Sequence, residues 1–548
     1  MPSESRRWNT RESASGLPAR TAAMKESLER TRDSLLILLV HPPTTKACEP
    51  PAGIARLAGA LRSHGVRFRV WDANLGGLVD LLERIPPDGD RRTRRAVKNR
   101  TLFLERLRSP AGYQSLDRYK QAVGGLDHLL KTAALPFGVR LGLANFEHTR
   151  RLPVRSADLL DAAETPRDNP YYSHFSRKLR QILEEDSPSV AGFSLSYLSQ
   201  ALCTFAMMGF LRREAPGIRI ALGGSLLTSW VKGPHWKNPF GGLVDHCIPG
   251  PGEDRLLRLA GIDPEPGRIY APDYSFAGPA DYLSPFPVIP YSASSGCYWK
   301  RCAFCPEQAE GNPYRPIPSD RVLQDLGLLT RAGQTALVHF LDNAMRPSLL
   351  EKLMRRPPGV PWYGFARVTS ALTDQSYCRD LKRAGCVLLK LGIESGDQEV
   401  LDRENKGIRL EDASGALRTL HEAGIGTYVY LLFGTPAESY PSALRTLDFT
   451  VRHGNEIDFL NLSIFNLPVG NADSSLSTAP HYEGDLSLYT GYEHAGGWDR
   501  KRVRQFLDRE FRRHPGIAQI LRREPPVFTS NHAPFFVRDR DLPNPAGR

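Results

Sequence analysis

Three of the eight cysteines, Cys297, Cys302 and Cys305, fall inside one short stretch, residues 292–316, which reads SASSGCYWKRCAFCPEQAEGNPYRP. Thiolates spaced C-x4-C-x2-C on a single loop suit a soft metal centre. Zinc is ordinarily held by four protein ligands, and no fourth Cys or His lies nearby in the sequence. A [4Fe–4S] cluster also takes four as a rule. Held by only three, it would keep one iron open to an exogenous ligand, and an open iron is a place for chemistry. Phe304, immediately before the last cysteine, is of a residue type that flanks a bound nucleoside. A structural zinc knuckle is the competing reading of the same loop.

The rest of the chain reads as the scaffold for that loop. Val288 and Ile289 belong to a short apolar strand that presents it. Downstream, predicted strands at 336–341, 362–367, 387–393, 427–433 and 459–467 alternate with predicted helices at 320–331, 349–354, 376–384, 411–423 and 441–452. With the strand before the cysteines this makes about six β-α units. That pattern suits a partial (β/α)6 barrel, whose active groups gather at the strand C-terminal ends.

Upstream, the apolar run 35–40 ends in His41-Pro42-Pro43 and reads as a buried parallel strand. The helix that follows places Ile54, Leu57, Ala58 and Leu61 on one face, and a second strand at 66–71 ends at Asp72. This β-α-β unit opens a doubly wound sheet. The pattern resumes with strands at 189–196, 218–222 and 243–248 and closes on Gly250-Pro251-Gly252-Glu253. Ligands of open α/β sheets bind at the carboxyl ends of the strands. Those ends carry Thr44, then Ser194 and Ser196, then Gly223, Gly224 and Ser225, and such residues offer hydroxyls and close backbone approach.

The expected organisation is therefore a disordered tail at 1–32, an α/β domain at 33–255 with a basic helical insertion at about 85–185, a linker at 256–286, a barrel at 287–470 and an aromatic-rich extension at 471–548. The extension holds Tyr482, Tyr489, Tyr492, Trp498, a predicted helix near 499–513 and the segment FTSNHAPFF at 528–536. Its aromatics are expected to cap the barrel mouth without taking part in the chemistry, with direct substrate contact as the alternative.

Across 548 residues, 41% hydrophobic and 24% charged content is ordinary for a globular chain. No apolar run has membrane-spanning length, and the opening segment has no apolar core of a secretory signal. Cys48, Cys203, Cys247, Cys378 and Cys386 are scattered without a disulfide pattern, which fits the cytoplasm. Cys378 and Cys386 read as buried, inert thiols. His339 and His532 are lone histidines without a partner motif. The net charge of +12 is concentrated at Arg91, Arg92, Arg94, Arg95, Lys98 and Arg100, and again at Arg500, Lys501, Arg502 and Arg504. We read these as solvated helix faces, with an acidic substrate or peptide as the sharper alternative. The chain has no recognisable RNA-binding module at its C-terminus, so nucleic acid is not the expected partner.

The cysteine loop resembles the cluster-binding loop of the radical S-adenosylmethionine (SAM) superfamily, with one residue more than the usual C-x3-C-x2-C. The upstream domain resembles the cobalamin-binding domain found before many radical SAM cores. HPP…PPAGIARLAGALRSHG, GFSLSYLSQ, GGS and GPGE carry that resemblance over about 33–84 and 185–255. The D-x-H-x-x-G motif of other cobalamin enzymes is absent, as is typical of the radical SAM class. The resemblance implies a [4Fe–4S] cluster on Cys297, Cys302 and Cys305. It places SAM against Phe304, Asp342, Arg367, Glu394, Ser395 and Gly434, and cobalamin against Thr44, Ser194, Ser196, Gly223, Gly224 and Ser225. Each SAM contact has a plainer alternative: an ion pair within the barrel for Arg367, helix capping for Asp342 and Glu394, and turn geometry for Gly434. The implied activity is reductive cleavage of SAM and, with cobalamin, methylation of an unactivated carbon of a small molecule, peptide or lipid. A donor protein such as flavodoxin or ferredoxin would supply the electron. The alternatives are a radical SAM cyclase or rearrangement enzyme and a non-catalytic iron–sulfur protein.

Overall fold

An apolar run can be buried on both faces only at the centre of a covered parallel sheet, and strand β1 (Leu36–His41) is buried along its whole length. In the computed structural model, which describes residues 35–234, 236–278, 281–331, 336–470, 476–479, 484–526 and 532–537, β1 is an interior strand of the first of two parallel sheets. The predicted tail, Tyr482 and residues 528–531 lie outside the described residues. β1 pairs with β2 (Arg67–Asp72) on one side and β3 (Val190–Ser194) on the other. β4 (Arg219–Gly223) and β5 (His246–Ile248) complete the order β2-β1-β3-β4-β5, all parallel. The winding reverses between β1 and β3, and the crevice outside their carboxyl ends is where such sheets take ligands.

The insertion packs onto this sheet. Its helices Arg91–Leu107, Leu116–Ala134, Ser156–Glu164 and Tyr172–Asp186 bury Phe103, Leu126, Leu159 and Phe175 in the same core as Leu38, Val40 and Phe205. Helix Ser156–Glu164 lies so close to helix Leu198–Glu214 that a side chain at Gly209 would overlap the Ala163 carbonyl.

The second sheet holds β6 (Val288–Tyr291), β7 (Leu337–Phe340), β8 (Trp362–Ala366), β9 (Cys386–Glu394), β10 (Gly426–Phe433) and β11 (Phe459–Ile464) in the order β11-β10-β9-β8-β7-β6. All neighbours are parallel. The expected α/β class, a doubly wound sheet followed by a partial (β/α)6 barrel, is what is found. Strand residues alternate between faces. Val338, Phe340, Leu389, Leu391 and Val429 pack outward against Leu349, Leu381 and Leu417 of the helices. Leu337, Tyr363, Leu388 and Tyr428 form a separate inner cluster.

The extension divides between the two ends of the barrel. Tyr492 donates to the Gly434 carbonyl and Trp498 Nε1 donates to Glu438 at 2.8 Å, both near the strand C-terminal ends, as expected of a cap. The turn Ala533–Phe536 lies instead at the opposite end. There His532 stacks on Tyr428 at 4.6 Å and Phe536 meets Phe459 at 5.7 Å. Gly426 leaves room for it, since a Cβ there would lie 2.7 Å from the Phe536 ring. Phe535 faces the insertion, 5.0 Å from Tyr113. The predicted helix at 499–513 is α-helical only over Arg500–Phe506 and continues as a wide π turn, Leu507–Phe511. Among the described residues no helix is long and apolar enough to cross a membrane.

The Gly209 contact makes the docking of the insertion testable. Gly209→Ala forces two helix backbones apart and is expected to destabilise the first domain by about 1–3 kcal/mol, read as a lowered urea midpoint.

Candidate active site

The cysteine loop leaves β6 at Tyr291 and is fastened at its entry by Asp342, just past the end of β7. One Asp342 oxygen accepts from the Ala293 backbone N–H at 2.9 Å and the other from the Ser294 hydroxyl. Burial raises the Asp342 carboxyl, and these two donors oppose the rise. Asp342 is thus neither exposed nor a helix cap. At the base of the loop, Ser294–Ser295 pairs antiparallel with Arg315–Pro316. Gly296, at φ +71°, passes so close to Pro313 that a Cβ would sit 2.6 Å from its carbonyl oxygen.

The spacer between the first two cysteines carries one left-handed residue, Lys300 at φ +49°. Trp299 beside it docks on the turn that follows helix Gln398–Arg403. Its Nε1 donates to the Asn405 carbonyl at 3.0 Å, and its ring lies where a side chain at Gly407 would be. Arg367 stacks on the same ring at 4.1 Å and donates to the Lys406 carbonyl at 2.5 Å. Among the described residues its partners are this ring and backbone carbonyls, not a barrel carboxylate. The Ala303 N–H donates to the Glu404 carbonyl at 3.0 Å.

Around this clamp the structure gathers several of the expected residues. Glu394 ends β9 in the left-handed region, φ +70°, and pairs with Lys406 at 2.8 Å. Lys406 Nζ also sits 5.6 Å from the Phe304 ring. Ser395 turns inward: it meets Thr446 Oγ1 at 3.2 Å and accepts from the Asp397 N–H at 3.2 Å, a capping arrangement. Gly434, at φ +78°, is held by Glu438 through its N–H and by Tyr492 through its carbonyl.

The thiols are partly buried and unpaired. Burial raises the Cys302 and Cys305 thiols, and neighbouring cysteines add to the rise. Lys406 and Arg367 oppose it at Cys302. Cations bearing on a group of thiols favour their anionic form. Among the described residues, no three His, Cys, Asp or Glu side chains converge as the ligands of one metal ion. Three neighbouring thiols beside two cations suit an anionic cluster.

A cavity of about 930 Å³ lies between this loop and the switch point of the first sheet. Ser194, Ser196, Gly223, Gly224 and Ser225 line one side, and Ser292, Ser295 and Gly296 line the other. Gly192, Ala221 and Gly223 leave part of the sheet wall with nothing larger than a methyl group. A broad cofactor with amide-bearing edges, such as a corrin, fits a wall free of bulk and rimmed by hydroxyls. Thr44 is not among the lining residues. It is fully buried, with its hydroxyl 3.1 Å from that of Tyr171, and the next two residues, Thr45 and Lys46, line the cavity instead.

Residues 291–450 match the family model described as the Radical SAM superfamily. The barrel is a radical SAM domain. The bacteriochlorophyllide d C-12(1)-methyltransferase of Chlorobaculum tepidum is 29% identical over 202 residues, 34% of this chain and 42% of that one. The anaerobic magnesium-protoporphyrin IX monomethyl ester cyclase of Rubrivivax gelatinosus is 26% identical over 146 residues, 25% of this chain and 26% of that one. The chain therefore matches less than half the length of either relative. The radical SAM methyltransferase TsrM of Kitasatospora setae, solved with tryptophan and a SAM analogue, superposes with a TM-score of 0.52 at 14% identity, over 90% of this chain and 89% of that one. That likeness is one of fold, and it spans both sheets.

Inside the radical SAM barrel sits a group that no motif announces. Glu49, on the loop after β1 of the first domain, reaches His339 of β7, with Oε2 2.9 Å from Nδ1. His339 Nε2 lies 3.0 Å from Lys390 Nζ of β9. The imidazole stacks on Tyr363 at 4.3 Å. Burial would raise the Glu49 carboxyl, but His339, Lys46 and Lys390 hold it well below the usual carboxylate range. His339 falls to about 4, chiefly by burial, and is neutral at pH 7. An ionised Glu49 can only accept, so Nδ1 carries the proton and Nε2 accepts from Lys390. Burial, with repulsion from Lys46, pulls the Lys390 ammonium down to about 7 against the attraction of Glu49.

The sign of the resulting pH dependence follows. From about 7 up to the ordinary value of 10.5, the unfolded chain carries the Lys390 proton and the folded chain does not. Stability therefore rises with pH through this window, by up to about 1.4 kcal/mol per pH unit. Lys390→Met is expected to flatten that rise, measured as the difference between urea midpoints at about pH 7 and about pH 9.5.

Proposed function

We propose that this chain is a cobalamin-dependent radical SAM methyltransferase that acts on an unactivated carbon of an organic substrate. The observation that carries the reading is the 930 Å³ cavity, because it joins the strand ends of the first sheet directly to the cysteine loop of the barrel. Bound groups on its two sides would share one enclosed space. The two relatives named above point the same way in part: one is a methyltransferase, the other a cyclase.

When bound, a [4Fe–4S] cluster supplies the electron that cleaves SAM, and cobalamin supplies a methyl carrier. The chain's own residues do the placing. Cys297, Cys302 and Cys305 would hold the cluster and would leave it open to the SAM amine and carboxylate. Lys406 and Arg367 offset its negative charge. Phe304 flanks the nucleoside, and Glu394, steadied by Lys406, offers an acceptor to the ribose. Gly434 lets the adenine approach the end of β10, and Asp342 keeps the loop entry in place. Ser194, Ser196 and Ser225 donate to the cobalamin amides, while Gly223 and Gly224 admit the ring. A one-electron donor protein such as flavodoxin or ferredoxin completes the system, in the cytoplasm, where unpaired cysteines persist.

Purified without oxygen and with cobalamin supplied, the protein is expected to hold about four irons and one cobalt per chain. With SAM and a reductant it is expected to release 5′-deoxyadenosine and S-adenosylhomocysteine. Cys302→Ala should lose the iron and both products. Gly223→Leu, which fills the cavity wall, should lose cobalt at least about tenfold and keep the iron. Iron with 5′-deoxyadenosine alone, and no cobalt, would favour ring closure or rearrangement. Zinc without iron would overturn the reading.

A further inference from the structure

A second cavity, of about 470 Å³, opens at the C-terminal ends of β10 and β11. Gly434, Ile464 and Phe465 form its barrel side, and Tyr489 and Tyr492 of the extension form another wall. Leu198 closes it on the first-domain side. The preceding residue, Tyr197, lines the larger cavity, so a single turn separates the two spaces. Gly434, given above to the adenine side of SAM, borders it, and none of its other lining residues has been assigned to the cluster, SAM or cobalamin.

Its polar groups share a character. His494 Nδ1 accepts from the Gly496 and Trp498 N–H groups at 3.1 and 3.2 Å, which leaves the proton on Nε2. That N–H is buried and has no acceptor among the described residues, and the buried Ser487 hydroxyl likewise has no partner there. A buried donor left unmade is costly, so both groups call for an acceptor. At the rim, among the described residues, Arg500 donates to the Phe465 carbonyl at 3.2 Å and the Asn466 side chain at 2.6 Å. Arg504 meets no carboxylate among the described residues. Asp499, the acidic residue of the lining, is occupied by the Arg502 N–H at 2.8 Å. The interior between these groups is apolar and aromatic.

We infer that this cavity binds the organic substrate, and that the substrate is a flat, largely apolar molecule bearing a carboxylate. The acid group meets Arg500, Arg504 and His494 at the rim. The body lies against Tyr489 and Tyr492 and points toward the turn shared with the larger cavity. This inference rests on the methyl-transfer reading for the meaning of the site, but not for its binding chemistry. Cations at an entrance and a wall of tyrosines select an aromatic acid over its neutral counterpart.

The test is calorimetric titration of the full-length protein, with iron and cobalt measured on the same samples, using 2-naphthoate and its neutral isostere 2-naphthamide. The acid is expected to bind at least about tenfold tighter than the amide. Arg504→Gln should weaken the acid about tenfold and leave the amide unchanged, and Arg504→Lys should restore most of the difference. Leu198→Trp, which fills the interior, should weaken both compounds. Equal binding of acid and amide, or an unchanged acid affinity in Arg504→Gln, overturns the inference. If that occurs in protein carrying its iron and cobalt, the methyl-transfer reading stands without it. If the acid binds through Arg504 in protein that takes up no cobalt, the substrate site stands and the methyl-transfer reading falls.

Discussion

A carboxylate taken inside a barrel must be met by donors, because its desolvation is not recovered otherwise. Glu49 meets that requirement across a domain boundary, through His339 and then Lys390. The loop that carries it is tied on three other sides. The Thr45 N–H donates to Asn74 at 2.9 Å, the Leu283 N–H donates to the Ala47 carbonyl at 2.7 Å, and the Ser199 hydroxyl donates to the Thr44 carbonyl at 2.8 Å. First sheet, linker and barrel are therefore fastened to one short segment. Thr45, Lys46 and Glu49 of that segment also line the large cavity, so its shape follows from the same contacts. Buried ionic groups often add little net stability compared with well-packed apolar ones. What this chain contributes is register, since only one placement of the two domains satisfies Glu49.

Much of the scaffold was legible because parallel sheets leave a plain signature. Runs such as LILLVH and the apolar strands of the barrel are continuous, and glycines end intervening helices, as Gly385 and Gly424 do. The cysteine loop was legible because spacing and chemistry coincide there. Glu49, His339 and Lys390 were not. They come from three strands or loops separated by up to 341 positions, from Glu49 to Lys390, and each alone is an ordinary residue. Thr44 and Thr45 show a finer limit. Both lie in the bend that follows β1, and nothing in the sequence says which of two threonines faces the crevice. The extension misled for a related reason. Its aromatic content signals burial, while the end of the barrel that it covers depends on where the chain returns, and Phe536 returns at Gly426.

The longer cysteine spacer has consequences beyond its length. A left-handed residue reverses the chain locally, so Lys300 takes up the additional position without moving the cysteines out of one loop. The spacer thereby presents Trp299 to the turn after helix Gln398–Arg403, where the absence of a side chain at Gly407 receives it. An indole docked against backbone leaves one face open, and Arg367 covers that face while bonding the Lys406 carbonyl. The guanidinium is then engaged in fastening the loop. The next cation along the same turn, Lys406, is left beside Phe304 and Glu394. Spacer, indole, arginine and lysine form one connected arrangement, in which Arg367 fastens the cysteine loop and Lys406 stands beside Phe304.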